Sequence, residues 1–351
     1  MKNILSKQPR TVGVQMRFGI FGLIIGAGIY FGNVKFTFGK GISSTPSYSA
    51  NEIIKTLSQI QNVTWTMRTS PWSLDAREPL IRWTTKSLQI QTYDFTEKRI
   101  KKLFIDLLKR GTHIQLIMED KKFQQFQNTF KQIQNYFSGY TNFSIKSDKQ
   151  MGTEYTHSKI TIVDSWFIIQ TANLTHSSFF SNREHFFASQ HSGVLTSLQA
   201  IFDKDRQGEK IHLSDIHPNL VICNINCRTV IEQILRDAKE SIIIQTQYIT
   251  DSNIMNILNS KTSLDKRIIV ADTESNLPLI RDLKTGMVKR LKKYYNHTKM
   301  ILVDKKILLL GSMNLSSTSL DKNREIWILL IDPPLIKQFL SQFEQDWKIS
   351  K

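Results

Sequence analysis

Cysteine is nearly absent from this chain of 351 residues: only Cys223 and Cys227 occur, too few for a disulfide scaffold. A Cys-x3-Cys pair without a third cysteine is no zinc set either, and the two thiols read as a pair in an oxidising compartment or as buried free groups. Eight prolines and fifteen glycines exclude a collagen-like or linker-dominated chain. Acidic residues are also short, 30 against 47 Lys plus Arg, which leaves a formal charge of +17. What is present is apolar material, 40% of the residues, enough to bury sizeable cores and to exclude global disorder. The positive surplus points to an anionic partner, whether nucleic acid, a phospholipid surface or a phosphate-bearing substrate.

Charge of one sign is missing altogether before the run FGIFGLIIGAGIYFGNV, residues 18–34: Lys2, Lys7, Arg10 and Arg17 precede it and no acid does. Seventeen residues reach about 25 Å as a helix, close to a hydrocarbon core of about 30 Å, with Arg17 and Lys35 placed to snorkel. Five glycines between Gly19 and Gly32 suit a membrane helix better than a soluble one. The expectation is a short basic segment over 1–17, a single-pass transmembrane anchor over 18–34 and a linker over 35–51. The basic flank then stays inside and places the soluble part on the non-cytoplasmic side. A cleaved signal peptide, giving a secreted protein, and a buried or interfacial helix are the alternatives, although no Ala-x-Ala site follows the run.

Beyond residue 52 the chain repeats itself. SLQIQT at 87–92 matches SIIIQT at 241–246, and Tyr93 or Tyr248 follows. Ile100, Leu103, Phe104, Leu107 and Leu108 recur with the helical period before Gly111 and the strand-like HIQLIM, residues 113–118. Val230, Ile231, Ile234, Leu235 and Ala238 do the same before the second run, and RIIVAD at 267–272 matches the second strand. Strand, helix, strand occurring twice predicts an α/β fold of two similar α-β-α sandwich halves packed together, over 52–204 and 220–351. The polar, turn-rich span 205–219 reads as the connector.

Each half then carries the same extended pattern. YTHSKITIVD at 155–164 and YNHTKMILVD at 295–304 both read His-x-Lys-x4-Asp, with Tyr two positions before His. Asn173 follows Asp164 by nine residues and Asn314 follows Asp304 by ten; each is followed nine residues later by Asn-Arg-Glu, at 182–184 and 323–325. In extended chain, residues two apart face one side, so His157 with Lys159 and His297 with Lys299 enter one site. Two such half-sites put two imidazoles, two ammonium groups and two amides around one phosphate, with no metal or other cofactor required. Lysine charge and hydrogen bonds from Asn173, Asn314, Thr171 or Ser312 match the oxygens of a phosphoryl group in transfer. One imidazole attacks phosphorus and the other protonates the leaving oxygen, while Glu184 and Glu325 are candidates for fixing the rings.

HSKITIVD with TANLT, and HTKMILVD with GSMNLSS, resemble the paired signature motifs of the phospholipase D superfamily over most of residues 75–345. That resemblance implies a metal-independent phosphodiesterase with a phosphohistidine intermediate, His157 as nucleophile and His297 as general acid and base. It also implies Lys159, Lys299, Asn173 and Asn314 on phosphate, Asp164 and Asp304 as structural support, and Glu184 and Glu325 as the acids orienting histidine. One departure stands out: the second motif has Gly311 and Ser312 where the first has Gln170 and Thr171. Gln170 lacks the backbone freedom of Gly, which leaves a degenerate phosphate- or anionic-lipid-binding protein as an alternative. Among the other histidines, His176 and His185 sit close enough in sequence to line the rim of the site. The run 289–299 places five basic residues around His297. The expected substrate is the phosphatidyl group of membrane phospholipids, hydrolysed or transferred, in a site completed within one chain. A nuclease cleaving DNA or RNA is the alternative from the same chemistry.

Overall fold

The computed structural model describes residues 65–71, 84, 86–121 and 123–351, together with three short strands near the N-terminus. The chain divides into two compact units, Met1–Pro46 and Ser47–Lys351. In the first, β1 (Leu23–Ile24), β2 (Gly28–Phe31) and β3 (Val34–Thr37) pair antiparallel in that order. This corrects the expected transmembrane helix over 18–34 wherever that span is described; its other positions lie outside the described residues. The run is unbroken apolar sequence with no period, which does not separate strand from helix, and Ile29, Tyr30, Phe31, Val34, Phe36 and Thr37 are β-branched or aromatic. Among the described residues no helix is long and apolar enough to cross a membrane.

In the second unit the repeat becomes two similar α/β sheets. Strands β4 (Trp65–Thr69), β5 (Ser87–Thr92), β6 (His113–Met118), β7 (Phe143–Ser147), β8 (Ile160–Val163), β9 (Trp166–Gln170), the two-residue β10 (Asn182–Arg183) and β11 (His185–Ser189) come from the first half. The second supplies β12 (Leu220–Ile222), β13 (Ser241–Thr246), β14 (Asp265–Ala271), β15 (Met287–Leu291), the two-residue β16 (Tyr295–Asn296), β17 (Lys299–Val303), β18 (Ile307–Gly311) and β19 (Ile326–Leu330). Strand order is β4-β11-β9-β8-β5-β6-β7 in one sheet and β12-β19-β18-β17-β13-β14-β15 in the other. The three last-named strands of each run parallel and the rest antiparallel. Helix crossovers make the parallel part: Lys98–Lys109 buries Ile100, Leu103, Phe104, Leu107 and Leu108, and Gly111 at φ +87° turns the chain into β6.

Each sheet buries its outer face under its own helices. The inner faces share one core in which Ile162, Phe167 and Phe187 of the first sheet join Ile243, Leu302 and Ile328 of the second. Helices Ser192–Gln207 and Pro333–Ile349 enter that shared core through Leu198, Ile201 and Phe202 and through Ile336, Phe339 and Phe343. Full burial of one such side chain contributes roughly 1.5–3 kcal/mol, so neither sheet is stable with this face in water. The connector expected at 205–219 begins late. Helix Ser192–Gln207 runs past residue 204 because Asp205 is buried against the other half, and Gly208 at φ +74° ends it. Cys223 and Cys227, both buried, are joined as a disulfide.

Candidate active site

Both signature hairpins are anchored at the end remote from histidine. Asp164 and Asp304 sit in the β8–β9 and β17–β18 turns at φ 48° and 51°, a left-handed geometry in which Asp is among the better tolerated residues. Asp164 accepts from the Lys86 and Ser87 amides at 3.1 and 3.0 Å; Asp304 accepts from those of Lys239, Glu240 and Ser241 at 2.7 to 3.1 Å. Each carboxylate clamps the start of a central strand, a strand length from the histidines.

At the opposite end the halves exchange partners. The amide of His157 donates to the carbonyl of Arg324 at 3.0 Å, and β10 pairs with β16 so that the amide of His297 donates to the carbonyl of Arg183 at 3.1 Å. The glutamate following each arginine therefore faces the histidine of the other half. His157 Nδ1 lies 2.8 and 2.9 Å from the two carboxylate oxygens of Glu325, and His297 Nδ1 lies 2.8 and 2.9 Å from those of Glu184. Asn182 and Asn323 donate to these same carboxylates, each at 3.2 Å. The Lys159 and Lys299 ammonium groups donate to the carbonyls of His157 and His297 at 2.6 and 2.9 Å, and both lysines are almost wholly buried. Asn173 and Asn314 follow on the loops after β9 and β18; the side-chain oxygen of each is buried without a partner, and the Asn314 amide reaches the Tyr248 hydroxyl at 3.2 Å.

Thr171 and Ser312 have a different task from the phosphate contact expected of them. The Thr171 hydroxyl donates to Glu184 at 2.6 Å and accepts from the His185 amide at 2.9 Å; Ser312 bonds Glu325 and accepts from the Ile326 amide at 3.1 Å. Both are fully buried, so these hydroxyls hold the acids that hold the imidazoles.

Two long sequence segments, 79–206 and 231–347, match the family model described as cardiolipin synthase, PLD-like domain. This chain belongs to the phospholipase D-like family. It is 37% identical over 54 residues to mitochondrial cardiolipin hydrolase of Mus musculus, covering 15% of this chain and 24% of that protein. To cardiolipin synthase 1 of Bacillus anthracis it is 25% identical over 201 residues, covering 54% of this chain and 36% of the relative. The chain thus spans well under half the length of these curated relatives. Phosphatidylserine synthase of Haemophilus influenzae superposes with a TM-score of 0.59 at 15% identity, covering 85% of this chain and 91% of that one. Polyphosphate kinase of Porphyromonas gingivalis gives 0.62 at 12%, covering 85% and 52%. At such identities the two structures speak for the fold alone.

Electrostatics give the phospholipase D-like site its character. Burial pushes His157 down to about 4 against the opposing pull of Glu325, and His297 is also lowered by burial, opposed by Glu184. Burial depresses Lys159 to about 7 and Lys299 to about 8. Burial would raise Glu325, but His157 and Lys159 hold it at about 2; Glu184 is held down against burial by His297 and Lys299. Each carboxylate can accept an Nδ1–H, which leaves Nε2 of a neutral ring with its lone pair outward. Among the described residues no group of three or more His, Cys, Asp or Glu is placed to hold a metal ion.

The Gln170 departure has a local explanation. A Cβ at Gly311 would meet Trp327 Cδ1 at 2.2 Å and the Ile326 carbonyl at 2.3 Å, so space rather than φ demands glycine there. Opposite Gln170 stands Phe186, and the Gln170 amide folds back onto the Ala172 carbonyl at 2.8 Å. Other neighbours escaped the motif reading. Tyr93 presents its ring edge to His157 at 5.0 Å between centroids, and Glu119 and Asp148 both accept the Thr156 amide at 3.0 Å, directly before His157. Burial and Asp148 raise Glu119 to about 7. The repeated Gln-Thr strand ending, followed by Tyr93 in one half and by Gln247 and Tyr248 in the other, was the available signal for Tyr93; the Glu119 and Asp148 pair has no repeat to reveal it. His185 lies off the rim: it is buried, 3.0 Å from the Thr69 hydroxyl, and burial lowers it to about 3. His176 is exposed and 3.3 Å from Glu97.

Proposed function

We propose that the protein is a phosphodiesterase working through a phosphohistidine on His157 and acting on the phosphatidyl group of phospholipids, by hydrolysis or transfer to an alcohol. The observation carrying this reading is the crossed pairing, in which each half's glutamate orients the other half's imidazole beside two buried lysines. With Glu325 accepting Nδ1–H, Nε2 of neutral His157 attacks phosphorus; the N–P bond forms as the P–O bond to the leaving group breaks. Protonated His297 gives its Nε2 proton to the departing oxygen, then takes a proton from water or an alcohol, whose oxygen displaces His157. Lys159, Lys299, Asn173 and Asn314 bind the non-bridging oxygens, where charge develops. An anionic phosphate raises the lysines and His297 from their depressed values, favouring the protonated forms this scheme uses.

Names of the family model and the curated relatives support a lipid substrate, as does the apolar segment 18–34. That segment and its basic flank also support a membrane location, and the side on which the catalytic unit stands is what protease accessibility in sealed membranes tests. The decisive assay offers dispersed short-chain phosphatidylglycerol and phosphatidylcholine, single-stranded DNA and RNA to the full chain in chelator. Lipid turnover with the phosphoryl adduct mapped to His157 by mass spectrometry is expected. Turnover of nucleic acid only would overturn the substrate, and an adduct on His297 would exchange the two histidine roles.

A further inference from the structure

Large apolar side chains are not scattered evenly over the described surface. Eight are exposed, and four of these, Phe123, Leu277, Ile280 and Tyr295, lie on segments that follow the site ends of the parallel strands β6, β14 and β15. Phe123 follows the end of β6, stacks on Tyr155 at 6.4 Å and packs on Phe126, which contacts Tyr93 next to His157. Across the site Tyr295 stacks on His297 at 6.3 Å. Its hydroxyl accepts from the Gln247 side chain at 2.7 Å, and the Gln247 carbonyl accepts from Asn276 at 2.9 Å, immediately before the short helix that exposes Leu277 and Ile280. Both halves thus rim the site with apolar groups on the segments that leave the same ends of the parallel strands.

Charge accompanies them. Residues 272–295 carry six basic and three acidic side chains. Asp272 is held by Arg290 at 2.8 Å with Lys292 at 3.8 Å, and Asp282 by Arg281 at 2.7 Å, leaving Glu274 as the third acid, while Lys292 and Lys293, just past the site end of β15, are exposed. Aliphatic Leu277 and Ile280 offer no π face on which a nucleobase can stack, whereas the boundary between headgroups and acyl chains takes aliphatic, aromatic and lysine side chains together.

We propose that this rim is a membrane-docking face for a bilayer with anionic headgroups: Phe123, Leu277, Ile280 and Tyr295 enter the boundary and Lys292 and Lys293 meet the headgroup phosphates. Docking this way brings a headgroup phosphodiester to His157 and His297 without removing the lipid from its surface, and to that extent it rests on the lipid reading above. The test uses the full chain with Ile280→Cys carrying a polarity-sensitive fluorophore, a readout local to the rim and independent of any binding by the N-terminal segment. A blue shift is expected on phosphatidylglycerol vesicles, weaker on phosphatidylcholine and absent with single-stranded DNA. In parallel, Leu277→Asp/Ile280→Asp should lower turnover of vesicle lipid by roughly 10- to 100-fold while turnover of dispersed short-chain lipid stays unchanged. An unshifted probe, a shift on DNA instead, or equal losses on both lipid forms would overturn the docking face. Absence of dispersed-lipid turnover in the unmodified protein counts against the catalytic reading alone.

Discussion

Glu325 lies 168 positions from His157 and Glu184 lies 113 from His297, yet each carboxylate lies 2.8 Å from its imidazole. A glutamine at 325 keeps the shape but presents an amide to Nδ1 and cannot balance an imidazolium. Glu325→Gln should therefore lower kcat by about 10²- to 10⁴-fold with the fold intact by circular dichroism. A loss of only about threefold would mean that the acid does not set the tautomer. The lysines make a separate prediction. Their depressed values, about 7 and about 8, mean that free enzyme loses the phosphate-gripping charge as pH rises through that window. On the acid side, the nucleophile is lost as pH falls through about 4, where His157 takes a proton. The kcat/KM profile should thus fall at both ends, whereas the alkaline limb of kcat should move upward because bound phosphate keeps the lysines charged. His297, also lowered by burial and needed protonated as the acid, adds to the same alkaline limb, so a kcat/KM that stays flat up to about pH 9 would contradict both the acid role of His297 and the lysine assignment.

Elements in the two halves are tied by a second crossed arrangement. Gln91 on β5 donates to Asp205 at 3.1 Å, and Asp205, on the last helix of the first half, pairs with Arg324 of the second at 3.1 Å. In mirror fashion Gln245 on β13 donates to Asp346 at 2.8 Å, and Asp346 pairs with Arg183 at 2.8 Å. These arginines immediately precede the two glutamates of the site, so the networks position the strands that deliver Glu184 and Glu325. Both aspartates are fully buried, and Asp205→Ala leaves Arg324 without its charge partner. That change should cost about 3–5 kcal/mol in denaturant unfolding, and a loss under about 1 kcal/mol would show water or Asn224 taking over. The repeated Gln in SLQIQT and SIIIQT and the repeated Asn-Arg-Glu were visible in the sequence. Asp205 and Asp346 were not, because DRQGEK looks like a solvated turn until a partner from the other half buries it.

On the scale of the molecule, periodicity and the duplicated motifs made the two α/β halves legible, since helix and strand periods are local properties. They also marked His157, Lys159, His297 and Lys299 as one set. What stayed hidden was exchange: a spacing of nine residues between Asn173 and Asn182 says where a glutamate falls along its own half, not that it crosses to the other. The tasks of Thr171 and Ser312 were hidden for the same reason, because a hydroxyl near a phosphate motif looks the same whether it faces substrate or a carboxylate. Crossing has a consequence for assembly. Each histidine's acid, each arginine's aspartate and the core between the sheets all join the two halves of one unit. A chain carrying His157→Ala retains His297 and Glu184, and one carrying His297→Ala retains His157 and Glu325, so neither has both imidazoles. If one chain completes the site, an equimolar mixture of the two variants should show no turnover beyond the sum of the separate proteins. Refolding the jointly unfolded variants at high dilution should not restore it either, because the tethered half of the same chain is at far higher effective concentration than the half of another chain. Recovery of about a quarter or more of wild-type activity after simple mixing would show that halves exchange between chains, and that the site belongs to an assembly instead of one molecule.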